Sequence, residues 1–406
     1  MKQIEGGVCA AKGFSASGVY CGLRKNKDKK DLALILSKAP AAAACVYTKN
    51  LVKGAPICVT MENVQDGQAR AILCNSGNAN TCNADGMKIA AAMCALLAQE
   101  AKISAGDVII ASTGVIGQPL PLAPIQAGMP GLVRALAASA SGSDAAATAI
   151  MTTDRIKKEV AYAFTLDGVK CHIGGIAKGS GMIHPNMATM LAFITTDAAI
   201  APAMLQRALA CDIADTFNMV SVDGDTSTND MVSVLANGMA GNREITAPGY
   251  AFDAFCAALR AVTETLCRAI ARDGEGATKL LSCRVSGAAD EGCARTVAKS
   301  VITSSLFKAA MFGADANWGR VLCAIGYSGA DVDIHKVDVS FASAAGRVDV
   351  CRDGAGTPFS EEEAKRVLLQ EEIDILVDLH EGFAQSTALG CDLTYDYVKI
   401  NGDYRS

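Results

Sequence analysis

At 406 residues the chain exceeds one average core, so two domains or a single large layered domain are expected. Half the residues are apolar and only 19% are charged, which argues against a disordered chain. A formal net charge of -5, from 37 basic and 42 acidic residues, argues against nucleic acid or an anionic membrane as partner.

Short apolar runs separated by glycine turns, such as Leu32–Leu36, Ala44–Tyr47 and Ala71–Cys74, predict strands near the N-terminus. The one basic run, Arg24 to Lys30, reads as a solvated turn. Ile89, Met93, Leu96 and Leu97 recur at helical spacing behind a capping Asp85. Val108–Ala111 predicts a buried strand ending in Ser112-Thr113-Gly114. Four prolines (Pro119, Pro121, Pro124, Pro130) then confine the next helix to 131–138, and a second short one follows over 145–151.

Asp167-Gly168 between two alternating runs predicts a hairpin. A Gly-rich loop bearing Lys178 follows, then a turn at Pro185-Asn186, and Thr189 opens a new apolar strand. Helices are predicted over 202–217, with proline in the first turn, and over 250–271. From about residue 290 the pattern becomes helices over 292–308 and 318–326, a hairpin over 337–350, a helix over 361–369 and terminal strands. That order suggests a separate C-terminal α+β subdomain at about 290–406. Blocks of helices and strands favour layered sheets covered by helices over a doubly wound parallel sheet.

No run reaches 18 apolar residues, and the N-terminus lacks a basic region followed by an apolar core. Neither a membrane span nor a signal peptide is expected. The sixteen cysteines never form C-x-x-C, and no pairing with the four histidines has zinc spacing; this usage suits a reducing cytoplasm.

Two ligand motifs fail on spacing. The Walker loop needs lysine directly after its second glycine, but here Ser180 follows Gly179 and Lys178 precedes it. Asp223, Asp225 and Asp230 suggest a calcium loop, yet Thr228 and Val234 occupy the required glycine and glutamate positions, so a solvated hairpin turn is expected. Thr189 has more chemical content. Threonine becomes a good nucleophile when its own free α-amine serves as base, which requires scission of the Ala188–Thr189 bond. Attack of the Thr189 hydroxyl on the Ala188 carbonyl would give an ester that water cleaves. From the local residues alone, an ordinary strand-initial threonine is the simpler reading. Thr113-Gly114 suits an oxyanion hole at a strand end, or a plain strand-to-loop turn. Lys178 and Glu275 each sit in Gly-flanked loops, and His184 reads as structural.

Taken together, these segments resemble the ornithine acetyltransferase family (glutamate N-acetyltransferases of arginine biosynthesis) along the whole chain. The resemblance rests on Lys12-Gly13-Phe14, Lys30–Leu34, Asn75–Asn80, Ser112–Gly117, Met151–Asp154, Lys178–Leu191, Val222–Asp230, Asp273–Lys279, Asp315–Arg320 and Tyr397–Ser406. It implies an N-terminal-nucleophile-like α/β fold and a precursor that cuts itself into an α chain, 1–188, and a β chain, 189–406. It further implies that Thr189 carries the acetyl group in ping-pong transfer from N-acetylornithine to glutamate. Thr113 and Gly114 match the oxyanion-hole positions. Thr152, Lys178, Thr189, Glu275, Asn401 and Ser406 match the substrate-binding positions, with Ser406 where many members end in threonine. No metal or cofactor is implied, acetyl-CoA is a possible co-substrate, and a heterotetramer of two α and two β chains is expected. A self-processing aminopeptidase or amidohydrolase of related fold is the alternative.

Overall fold

The computed structural model describes residues 1–184 and 190–403. Ala188, Thr189 and Ser406, all singled out from the sequence, lie outside the described residues.

The first strands in chain order are Lys2–Ile4 (β1), Phe14–Val19 (β2), Leu32–Tyr47 (β3), Gln68–Asn75 (β4) and Val108–Ser112 (β5). Lys158–Leu166 (β6), Val169–Lys178 (β7), Leu191–Thr196 (β8), Val220–Ser221 (β9) and Met231–Ala236 (β10) follow. The later ones are Leu280–Ala288 (β11), Asp338–Ser343 (β12), Gly346–Arg352 (β13), Ala355–Gly356 (β14), Glu372–Asp378 (β15) and Ala384–Cys391 (β16). One sheet has the order β1-β6-β7-β8-β10-β3-β4-β5, with β2 added to β3; the other has the order β14-β13-β12-β15-β11-β16-β9.

The first sheet is buried on both faces, so β8 and β10 are buried at every residue and mostly apolar. In β8, Ala192 and Ile194 join the core under the helices Pro202–Asp215 and Tyr250–Arg272. Leu191 and Phe193 point the other way, to a core closed by the helix Ala140–Ile150. In the second sheet Cys283, Val285, Ile375 and Phe341 pack under the helices Glu291–Thr303 and Ser305–Phe312. The alternate residues Arg284, Ser286, Asp378 and Ser340 line an open polar concavity of about 510 Å³. The layered α/β architecture predicted from the sequence is the one observed. The second sheet takes in β9 and β11, so it begins upstream of the residue-290 boundary drawn from the sequence.

Several local expectations change. Val220–Ser221 and Met231–Ala236 belong to different sheets, so the acidic segment between them is a crossover, with Thr228, Asn229 and Asp230 buried, and not a solvated hairpin turn. Prolines do not confine the helix to 131–138: it spans Leu122–Arg134. Pro124 falls in the first turn, where its missing N–H has no intrahelical partner to lose. The stretch 292–308 is two helices, because Ser304 caps the second through Phe307 N. The last described element is a helix, Tyr395–Asp403, where strands were expected. Among the described residues no helix is long and apolar enough to cross a membrane.

Candidate active site

Parallel β4 and β5 end side by side at Asn75 and Ser112. The Asn75 side-chain amide donates to Ser112 Oγ (2.6 Å), and its carbonyl oxygen accepts from the backbone N–H groups of Gly77 and Asn78 (3.2 and 3.1 Å). The Asn75 backbone oxygen takes the Thr113 N–H at 2.9 Å. This turn folds onto Gly114, whose φ is +127°; a Cβ there would stand 2.9 Å from Asn78 N. Only glycine allows that approach.

Lys178 is the last residue of β7 and pairs with Leu191 at the start of β8. It is 8% exposed, and its ammonium donates to Thr113 Oγ1 at 3.3 Å. Burial lowers the Lys178 pKa, the Asp154 carboxylate opposes that, and Lys158 adds repulsion. Asp154 ties the neighbourhood together. It accepts from Thr152 N (2.9 Å), Gly179 N (2.7 Å) and the Lys158 ammonium (2.7 Å). Burial alone would push its carboxyl up, but Lys178 and Lys158 prevail and hold it down to about 2. Lys158, wholly buried, also reaches Asp273 Oδ2 at 2.7 Å.

That aspartate opens the turn leading to Glu275. The Glu275 N–H donates to Ser180 O (2.9 Å), and its carboxylate accepts from the Asn401 side-chain amide (2.8 Å). A Cβ on Gly181 would lie 2.3 Å from the Glu275 carboxyl, so a larger residue there would displace that carboxylate. Thr153 and Ser180 share a hydroxyl hydrogen bond of 2.7 Å. The Asn229 amide donates to Ala79 O (2.6 Å) and Ser112 O (3.0 Å), fastening the crossover to the Thr113 strand end.

Thr113, Gly114, Thr152, Lys178, Glu275 and Asn401 therefore line one cavity of about 150 Å³, together with Thr228 and Asn229. It is smaller than the concavity on the second sheet, but that one holds none of the sequence-selected residues. Sequence reasoning missed Asp154 and Asn229. Asp154 lies inside a quoted motif, yet only its network of donors gives it a role. Asp230, 3% exposed, has Oδ2 without a hydrogen-bond partner; burial raises its pKa well above the carboxylate range. His184 Nδ1 contacts Ser221 Oγ at 3.1 Å and does not line the cavity. Among the described residues no group of three or more His, Cys, Asp or Glu side chains is placed to hold a metal.

A buried cation and a carboxylate around a small cavity at a strand-end turn suit a small ligand bearing both charges. The ArgJ family model matches residues 15–406, and the chain belongs to the ArgJ family. It is 49% identical over 407 residues to the arginine biosynthesis bifunctional protein ArgJ of Caldanaerobacter subterraneus subsp. tengcongensis, and 51% identical over 410 residues to that of Symbiobacterium thermophilum. Each match covers all of both chains. A crystal structure of the Bacillus halodurans ArgJ protein is 48% identical with a TM-score of 0.51, and covers 53% of this chain and 100% of its own.

Proposed function

We propose that the chain is a glutamate N-acetyltransferase of arginine biosynthesis that moves acetyl from N-acetylornithine to glutamate through an acetyl-Thr189 intermediate. One observation carries the reading: six residues chosen from the sequence, spread from 113 to 401, line a single cavity. That cavity opens where Lys178 pairs with Leu191, two residues beyond Thr189 in the chain.

Scission of Ala188–Thr189 frees the Thr189 amine to act as base for its hydroxyl. The hydroxyl attacks the acetamide carbonyl of N-acetylornithine, and Thr113 and Gly114 receive the developing oxyanion. Collapse expels the ornithine amine, which takes up the proton. Glutamate then attacks the ester and leaves as N-acetylglutamate. Lys178 pairs with the substrate carboxylate and Glu275 with an ornithine ammonium, each a charge-assisted contact. Thr152, Asn401 and Ser406 complete the substrate contacts. Acetyl-CoA serves as a second donor, in keeping with the word bifunctional in the relatives' names. No metal or cofactor is needed for these steps. Residues 1–188 and 189–406 form the α and β chains of a cytoplasmic heterotetramer. The Bacillus halodurans chain, matched in full by 53% of this one, supports that division.

Thr189→Ala tests the reading. The variant should run as one full-length band on a denaturing gel and lose transfer by at least about 10³-fold. Transfer that survives in the uncut variant refutes the nucleophile, and acetyl release independent of glutamate points to the hydrolase alternative.

A further inference from the structure

Acetyl transfer between the two amino acids leaves one charged feature of the surface unused. Residues 24–30 hold five basic side chains and one acid, in a chain whose net charge is -5. Lys25, Lys27 and Lys29 are exposed, and among the described residues no ion pair is formed by them. The loop that carries them is firmly built. The Asp31 carboxylate, fully buried, accepts the backbone N–H groups of Cys21 (2.7 Å), Gly22 (3.3 Å), Leu23 (2.8 Å) and Arg24 (3.1 Å). That anchors the start of the loop, and the Lys25, Lys27 and Lys29 ammonium groups face solvent beyond it.

The loop also lies against the outside of the active-site wall. The Arg24 guanidinium donates to Ser76 O (2.6 Å) and to Met151 O, the carbonyls just before Gly77 and Thr152. Leu23 packs on Gly77, with its Cβ 2.6 Å from where a Gly77 Cβ would be, and Gly77 packs on Gly114. On the cavity itself, Ile116 and Met182 present apolar side chains that are 40% and 44% exposed. A cation-rich patch beside an apolar rim and a small acyl site matches a long donor with phosphates at one end, an extended arm, and a thioester at the other.

We infer that Lys25, Lys27 and Lys29 bind the phosphates of a phosphorylated thioester acetyl donor, whose arm crosses Ile116 and Met182 to deliver the thioester into the cavity. The inference rests on the acetyl-transfer reading and deepens it. In the step served, the acetyl C–S bond breaks as a C–O bond to Thr189 forms, and the hydroxyl proton leaves with the sulfur as free thiol. Lysine suits phosphate capture of this kind, because a point charge on a flexible stem can follow several phosphate oxygens.

The test uses the full chain as purified, with glutamate saturating and three donors compared, namely acetyl-CoA, N-acetylornithine and the phosphate-free thioester S-acetyl-N-acetylcysteamine. In the triple variant Lys25→Ala, Lys27→Ala, Lys29→Ala, KM for acetyl-CoA should rise about tenfold at low salt, the combined size of three exposed charge contacts. KM for the other two donors should hold. Salt should raise the wild-type KM for acetyl-CoA toward that of the variant, because it screens exposed charges. An unchanged KM for acetyl-CoA, or an equal rise for all three donors, overturns the inference. Wild-type protein that uses N-acetylornithine but not acetyl-CoA also overturns it, and leaves the transferase reading intact. Failure with every donor refutes that reading itself. Unchanged thermal unfolding of the variant confirms that folding is not what was altered.

Discussion

Asp154→Asn puts the electrostatic frame of the site to the test. The substitution keeps shape and a carbonyl acceptor but removes the negative charge among two buried lysines. With its carboxyl at about 2 against an ordinary 3.8, Asp154 contributes roughly 2.5 kcal/mol at neutral pH. A carboxylate with a depressed pKa gives stability that is complete above pH 3.8 and lost as pH falls toward 2. Removing the charge also leaves Lys158, among the described residues, with Asp273 alone as a buried carboxylate partner, so the total cost should approach the ~3–5 kcal/mol typical of a broken buried pair. For 406 residues with an unfolding entropy of about 2.1 cal/mol/K each, that corresponds to a Tm lower by about 4–6 °C. Differential scanning calorimetry at pH 7 reads it directly, and the gap to wild type should shrink as the pH is brought to about 3 and below. A Tm within about 1 °C of wild type at pH 7 would refute the claim that Asp154 holds this frame. Transfer activity should fall too, because Thr152 N and Gly179 N both rest on this carboxylate.

Two further substitutions probe other parts of the site. Gly114→Ala forces a Cβ to within 2.9 Å of Asn78 N at a φ of +127°, and should lower kcat by about 10²–10³-fold while the chain still folds; single-turnover acetylation of Thr189 would show whether the lost step is acyl transfer. His184 is pushed down to about 4 by burial and by Lys299, below its ordinary 6.5. The unfolded chain thus takes up a proton that the folded chain refuses, and stability falls as pH drops from 6.5 toward 4. His184→Gln should remove about 1–2 kcal/mol of that acid sensitivity, after allowance for its partial exposure; a pH–Tm profile parallel to wild type would rule the effect out.

Much of the fold was legible because its signals are local. Apolar runs mark β3 and β8, alternation marks β6, and Asp167-Gly168 makes the hairpin between β6 and β7 with both residues at positive φ. The crossover at 222–230 was not legible: its aspartates look solvated in isolation, and it is the distant Ala79 and Ser112 carbonyls and the Thr81 hydroxyl that give Asn229 a buried role. The same holds for Asp154, whose partner Gly179 lies 25 residues away along the chain and which shares Lys158 with Asp273, 119 residues away. Lys178 was expected in a loop because glycines surround it, yet it ends a strand whose partner β8 enforces extended backbone. Thr113, Gly114, Lys178 and Glu275 drew notice as residue types in strand-end and Gly-flanked settings. Their convergence needed the resemblance first and the sheet geometry second.

The position of β8 in the first sheet has a mechanical consequence. It lies between β7 and β10, matched over six residue pairs on either side, antiparallel to one and parallel to the other. A break in the backbone ahead of Leu191 leaves that strand sewn into the middle of the sheet, with β7 belonging to one fragment and β10 to the other. Pulling the fragments apart means shearing a seam of backbone hydrogen bonds and exposing two buried faces at once. Cutting the chain therefore frees an end without freeing a piece.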